Sequence, residues 1–97
     1  MKNSKQASTK VPAQRVELGR YIVADPAICH GKPTFKGTRI FVRDVLADVE
    51  QGLSWDFILR RWGGRKLSKE AIAEAVHLAR TAFIDEDGQL AVLSRAA

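Results

Sequence analysis

The sequence predicts a mainly α domain in which a short N-terminal β segment leads into three helices arranged as a helix-turn-helix unit. Three observations carry that reading. Near Val42 the apolar period changes from about two to about 3.6 residues. One helix-start signature then occurs twice, as Leu53-Ser54-Trp55-Asp56-Phe57-Ile58 and as Leu67-Ser68-Lys69-Glu70-Ala71-Ile72. Between the helices so announced lies a basic, glycine-bearing turn, Gly63-Gly64-Arg65-Lys66. A short helix, a glycine turn and a longer helix form the pattern of a unit whose second helix can enter a major groove.

A chain of 97 residues allows one domain. At this size folding buries only about 60–65% of the surface of the unfolded chain, so a second copy helps to close the core and a homodimer is expected. Residues 1–20 are rich in Lys, Ser, Gln and Thr, with too little apolar surface to offset the entropy of ordering, and a disordered basic arm is expected there. The folded body spans 21–84. It opens on the β-prone run Tyr21-Ile22-Val23, which Asp25-Pro26 stops and Ile28-Cys29 resumes before His30-Gly31-Lys32-Pro33. A second run, Thr34-Phe35, is punctuated by Lys36-Gly37 and resumes from Thr38 to Val42. Gly37 stands where a tight turn needs positive φ, and Pro33, lacking a backbone donor, belongs at an edge or turn.

The first helix is expected over about 43–51, with Val42, Val45, Leu46 and Val49 on one face and Gly52 at its C-terminal stop. The second should run over about 54–62 and be broken by Gly63-Gly64. The third should run from 69 to about 84 with Ile72, Ala75, Val76, Ala79 and Phe83 turned inward. In both repeated signatures the serine hydroxyl accepts an orphan amide of the first turn. The acid two residues later meets the positive end of the helix dipole, and the leucine can staple onto the isoleucine. Asp85-Glu86-Asp87-Gly88 ends the third helix. The tail over 85–97, with Leu90, Val92 and Leu93, fits a strand, a helical turn or a partner-binding segment equally well.

GKPTFKGTRIFV at 31–42, LADVEQGLSWDFIL at 46–59 and LSKEAIAEAVHLA at 67–79 resemble, in content and order, the bacterial and archaeal family named domain of unknown function 433, DUF433. The resemblance covers Tyr21 to Asp85. It implies a homeodomain-like or winged-helix-like helix-turn-helix fold whose β segment helps to form a dimer, with Gly31, Lys32, Pro33, Gly37, Thr38 and Arg39 as structural motif residues. It also implies an antitoxin component, paired with a PIN-like ribonuclease toxin. The chain departs from the family at His30, where a second glycine usually precedes Gly31. It departs again at Gly63-Gly64-Arg65-Lys66, where the family usually has a shorter turn beginning with proline. The arm and the tail lie outside the resemblance.

The net charge of +5 is unevenly placed. The arm holds Lys2, Lys5, Lys10, Arg15 and Arg20 against Glu17 alone, leaving 11 basic and 10 acidic residues in the remainder. Within that remainder, residues 32–43 contain Lys32, Lys36, Arg39 and Arg43 with no acid, and residues 60–69 contain Arg60, Arg61, Arg65, Lys66 and Lys69 with none. Such asymmetry suits a phosphate backbone as partner, the plainer alternative being a solvated face. The candidate DNA contacts are Arg65, Lys66, Ser68 and Lys69 at the start of the third helix, Arg60 and Arg61 beside them, and Ala73 and His77 further along the outer face. Glu70 and Glu74 oppose this reading, because acids on that face repel phosphate. Lys10, Arg15 and Arg20 could reach a minor groove from the arm, or the arm could be a solubilising tail.

An enzyme is not expected. Cys29 is the only cysteine and His30 and His77 are the only histidines, with no orienting carboxylate or third ligand in sequence to complete a nucleophilic or metal site. No metal, cofactor or small-molecule substrate is expected. Gly31-Lys32-Pro33-Thr34 lacks the upstream glycine of a phosphate loop and reads as a turn. Cys29 is expected as a small buried apolar residue and His77 as a surface residue. Trp55, Leu59 and Trp62 share a helical face, which favours packing over base stacking. No run of residues is apolar enough for a membrane span or a signal peptide, so the expected location is the cytoplasm. The expected protein is a dimeric, antitoxin-like DNA-binding repressor of its own operon that also inhibits a PIN-like toxin. The alternative is a protein-interaction module that dimerises without recognising a DNA sequence.

Overall fold

The structure, a computed structural model, describes residues 13–62 and 66–90. Strands β1 (Val16–Glu17), β2 (Ile22–Ala24) and β3 (Thr34–Phe35) precede helices α1 (Val42–Glu50), α2 (Trp55–Arg61) and α3 (Lys69–Thr81). The strands form an antiparallel sheet in the order β1-β2-β3, with Val16 opposite Ala24 and Ile22 opposite Phe35. This is the mainly α domain with a short β segment that the apolar periods predict. No described helix is long and apolar enough to cross a membrane.

Two expectations for the N-terminal half need correction. The first concerns the arm: residues 13–20 are ordered, with β1 inside the stretch that composition assigned to disorder, while residues 1–12 lie outside the described residues. The cause is a tight turn between β1 and β2 together with ion pairs along and across the sheet. Leu18 and Gly19 donate their amides to the Ile22 carbonyl at 3.0 and 3.2 Å, and Glu17 bridges Arg15 and Lys36. The Lys36 ammonium, and then Arg15, hold the Glu17 carboxyl below its ordinary range. Its pairing is therefore complete at neutral pH and is lost as acid protonates it. Both partners reach well into solvent, so the effect is small.

The second correction is at Ile28-Cys29, which does not resume a strand. The Asp25 carboxylate accepts the Ala27 amide at 2.9 Å and the Asp25 carbonyl accepts that of Ile28 at 2.8 Å, turning the chain out of the sheet. A 3-10 turn at Cys29–Gly31 follows, with φ of +52°, +60° and +82° at Cys29, His30 and Gly31. Cys29 is half-buried rather than fully buried, its Sγ 3.9 Å from the Arg39 carbonyl. Only Gly31 adopts this left-handed region without steric cost.

Gly37 does stand at φ +76°, in a turn closed by the Thr38 amide and hydroxyl on the Phe35 carbonyl at 3.0 and 2.7 Å. The Pro33 carbonyl accepts the Val42 amide at 3.1 Å and thereby ties the start of α1 to the residue just before β3. At the other end of α1, Gly52 at φ +83° donates to Val49 at 2.9 Å and Leu53 donates to Asp48 at 3.2 Å. That pair of bonds is a Schellman stop.

The core joins Ile22 and Phe35 of the sheet, Val42 and Val45 of α1, Ile58 of α2 and Ala71, Ile72 and Ala75 of α3. Trp55, Leu59 and Trp62 pack at its margin, as their spacing predicts. One acid is buried with them. Asp48 accepts the Trp62 indole N–H at 2.9 Å and lies 3.3 Å from the Arg61 guanidinium, tying the end of α2 to α1. Helix α3 is shorter than the periodicity suggests. It stops at Thr81, Ala79 is exposed and Phe83 is 48% exposed, because the core ends at Leu78 and offers them nothing to pack on. The chain then turns back, Ile84 bridging Leu90 while the Asp85 carboxylate accepts the Asp87 and Gln89 amides at 2.9 Å. Val92 and Leu93 lie outside the described residues.

Two stability changes follow. Replacing His30 by glycine removes side-chain strain at φ +60° and should raise stability by about 0.5–1 kcal/mol in denaturant unfolding. An unchanged or lower midpoint would refute the strain. Asp48→Ala should lose about 2 kcal/mol, since Trp62 and Arg61 both lose their acceptor. A loss below experimental error would show that the carboxylate holds nothing in place.

Candidate nucleic-acid interface

Helix α3 buries one side and presents the other. Ala71, Ile72 and Ala75 face the core, whereas Lys69, Glu70, Ala73, His77 and Arg80 are exposed. At about 100° of rotation per residue these five positions form one continuous stripe. The helix begins where its serine predicts: Ser68 Oγ accepts the Ala71 amide at 3.1 Å, just as Ser54 Oγ caps α2 through the Phe57 amide at 3.1 Å. Leu67, directly before the cap, is buried and fixes the angle at which the chain enters α3.

Each flank of the stripe is held by a contact. On one side Lys69 pairs with Asp56 of α2 at 3.0 Å, both side chains being largely exposed. Glu74 lies about 140° further round the axis. Its carboxylate accepts the Arg20 amide at 2.9 Å and the Tyr21 amide at 2.7 Å, in the turn between β1 and β2. Ala73, His77 and Glu70 therefore face outward between α2 and the strand turn.

This corrects the objection that two acids crowd the outer face. Glu74 is engaged by the sheet turn at the flank, and Glu70 alone remains among the exposed positions of the first two helical turns. Beyond the last turn the acids return. Asp85, Glu86 and Asp87 line a shallow hollow with His77 and Thr81. The end of α3 thus repels phosphate, and the surface best suited to it lies toward the helix start.

The residues singled out in the sequence are only partly gathered there. Lys66, Ser68, Lys69, Ala73 and His77 lie on or just before the outward face of α3. Arg60 is exposed on α2 with its guanidinium 5.9 Å from the Phe57 ring. Arg61 is drawn to Asp48 and over the Trp62 ring, 5.6 Å from its centroid, so it serves the fold and is only half free for a ligand. Arg65, with Gly63 and Gly64, lies outside the described residues. His77 is exposed, as expected, with Nδ1 3.5 Å from the Arg80 guanidinium. Sequence reasoning missed Arg80, although the 73, 77, 80 spacing would have found it. It also missed Asp48, for which an acid amid the apolar face of α1 was the available signal.

A second surface has a different character. Lys32, Pro33, Phe41, Val42, Arg43 and Leu46 line a groove of about 250 Å³. Its apolar floor is bordered by two cations, Lys32 and Arg43, which lie 6.0 and 4.8 Å from the centre of the Phe41 ring. Of the remaining motif residues, Gly31, Gly37 and Thr38 shape the turns described above, and Arg39 is exposed.

Comparison with known proteins finds one family. The model of the family described as "Protein of unknown function (DUF433)" matches residues 22–79. No curated protein and no solved structure matches the chain significantly.

Because Ser68 caps α3, Ser68→Ala should cost about 1 kcal/mol in unfolding experiments on the free protein. If stability were untouched, the hydroxyl would not be holding the start of the helix.

Proposed function

The chain belongs to the DUF433 family, and from that premise we propose that it is a dimeric, antitoxin-like DNA-binding protein that represses its own operon and restrains a PIN-like ribonuclease toxin. The observation that carries the DNA-binding part is the outward stripe of α3, capped at its start and flanked by α2 and the strand turn. A helix so presented can lie in a major groove. Lys66 and Lys69 would meet phosphates at its start, Arg60 would meet them from α2, and Ala73 would face the base edges, small enough to allow close approach. Ser68 retains its hydroxyl proton for a phosphate oxygen while its lone pair caps the helix.

The dimer is proposed because so small a core leaves Val16, Leu18, Phe57, Phe83 and Leu90 well exposed. The toxin partnership rests on the family's resemblance to antitoxin components. A second reading, a protein-interaction module without an operator, is favoured by the groove around Phe41. An apolar floor with basic borders suits an acidic, apolar segment of another protein.

Two substitutions test the proposal by binding to the duplex upstream of the gene and to an unrelated duplex of equal length, across a salt series. Ala73→Glu keeps a good helix former at an exposed site, so the fold should persist while affinity for the upstream duplex falls about tenfold or more. Lys66→Ala should lower the slope of log affinity against log salt by about one on both duplexes. If the unsubstituted protein binds neither duplex, or both equally, the interaction-module reading replaces the repressor.

A further inference from the structure

We infer that the turn between β1 and β2 is a second DNA-contacting element, a wing beside α3 on which Arg20 meets a backbone phosphate. The inference rests on the DNA-binding reading of α3 and adds to it a contact from outside the helical unit. Arg20 belongs to the stretch whose composition suggests a free arm, yet its backbone is fixed: its own amide and that of Tyr21 bind the two oxygens of the Glu74 carboxylate at 2.9 and 2.7 Å. The fit is close. A Cβ at Gly19 would stand 2.4–2.6 Å from the Glu74 carboxylate, so any side chain there would push the carboxylate out of its present place.

Glu74 flanks the outward stripe on the side opposite α2, so the turn borders the place where a duplex would lie. The Arg20 side chain is exposed and its guanidinium lies 5.4 Å from the centre of the Tyr21 ring, a contact that limits its rotamers without neutralising its charge. A cation here also answers a deficiency of α3. Ala73 is uncharged and Glu70 repels phosphate, so positive charge on this flank has to come from another element. In this arrangement Glu74 is a positioning residue, an acid that keeps a cation in place by binding its backbone.

The test compares the unsubstituted protein with Arg20→Ala, Arg20→Lys and Glu74→Ala on the same two duplexes across a salt series, with thermal unfolding measured alongside. Arg20→Ala leaves the backbone bonds to Glu74 intact, so it should keep the fold, lose about five- to tenfold in affinity on both duplexes and lower the salt slope by about one. Arg20→Lys should restore most of the slope. Glu74→Ala should lower the slope similarly, and combining it with Arg20→Ala should add little, as coupled positions do. Should Glu74→Ala fail to fold, the two Arg20 variants decide the matter alone. Normal affinity and slope in Arg20→Ala, with the unsubstituted protein binding DNA, would overturn the wing and leave the α3 interface standing. Absence of DNA binding by the unsubstituted protein would overturn both.

Discussion

Burial of one side of α3 is the constraint on which the other elements depend. Ala71, Ile72 and Ala75 are nearly inaccessible, and α1, α2 and β2 all pack against this helix. Two of the three buried side chains are alanines, which let neighbouring backbones approach closely while Ile72 supplies the volume. In a domain this small no second core compensates if that surface is lost. The same constraint governs presentation, because a helix packed on its inner side by α1, α2 and β2 has its opposite face left for a ligand.

Two carboxylates then decide how the neighbours sit around α3. Asp48 joins α1 to the end of α2 through the Trp62 indole and the Arg61 guanidinium, so the last turn of α2 is held at a defined place against α1. Glu74 joins the middle of α3 to the β1–β2 turn through two backbone amides. Both acids are paired rather than isolated. For the buried Asp48, loss of a partner destabilises more than the intact pairing stabilises, so it acts mainly to specify one arrangement over its alternatives. Orientation is what a groove-reading helix needs, since a small displacement of its start moves every contact made from it.

The parts of this architecture that arise from local chemistry were legible in the sequence. The two serine caps, the glycine stops at 37 and 52, and the inward faces of α1 and the first half of α3 each depend on residues within one or two turns of each other. What escaped reading depends on contacts between distant positions. Nothing in Arg20-Tyr21 announces that its amides bind an acid more than fifty residues later, so the ordered hairpin reads as arm. For the same reason Glu74 reads as a repulsive surface acid. The overlong third helix has another cause, since Ala79 and Phe83 keep the apolar period after the core has ended. The site was half legible: the stripe follows from periodicity, whereas the withdrawal of Arg61 toward Asp48 and the acid-lined hollow beyond His77 are tertiary facts.

DNA is proposed to meet the protein on the outward face of α3. Titrating isotope-labelled protein with the duplex upstream of its gene, and following each backbone amide by NMR, tests this proposal most directly. Shifts should concentrate at residues 66–77 and in the 19–21 turn, with the groove around Phe41 unaffected. Shifts confined to Lys32, Phe41, Arg43 and Leu46, or no shifts at any residue, would contradict it.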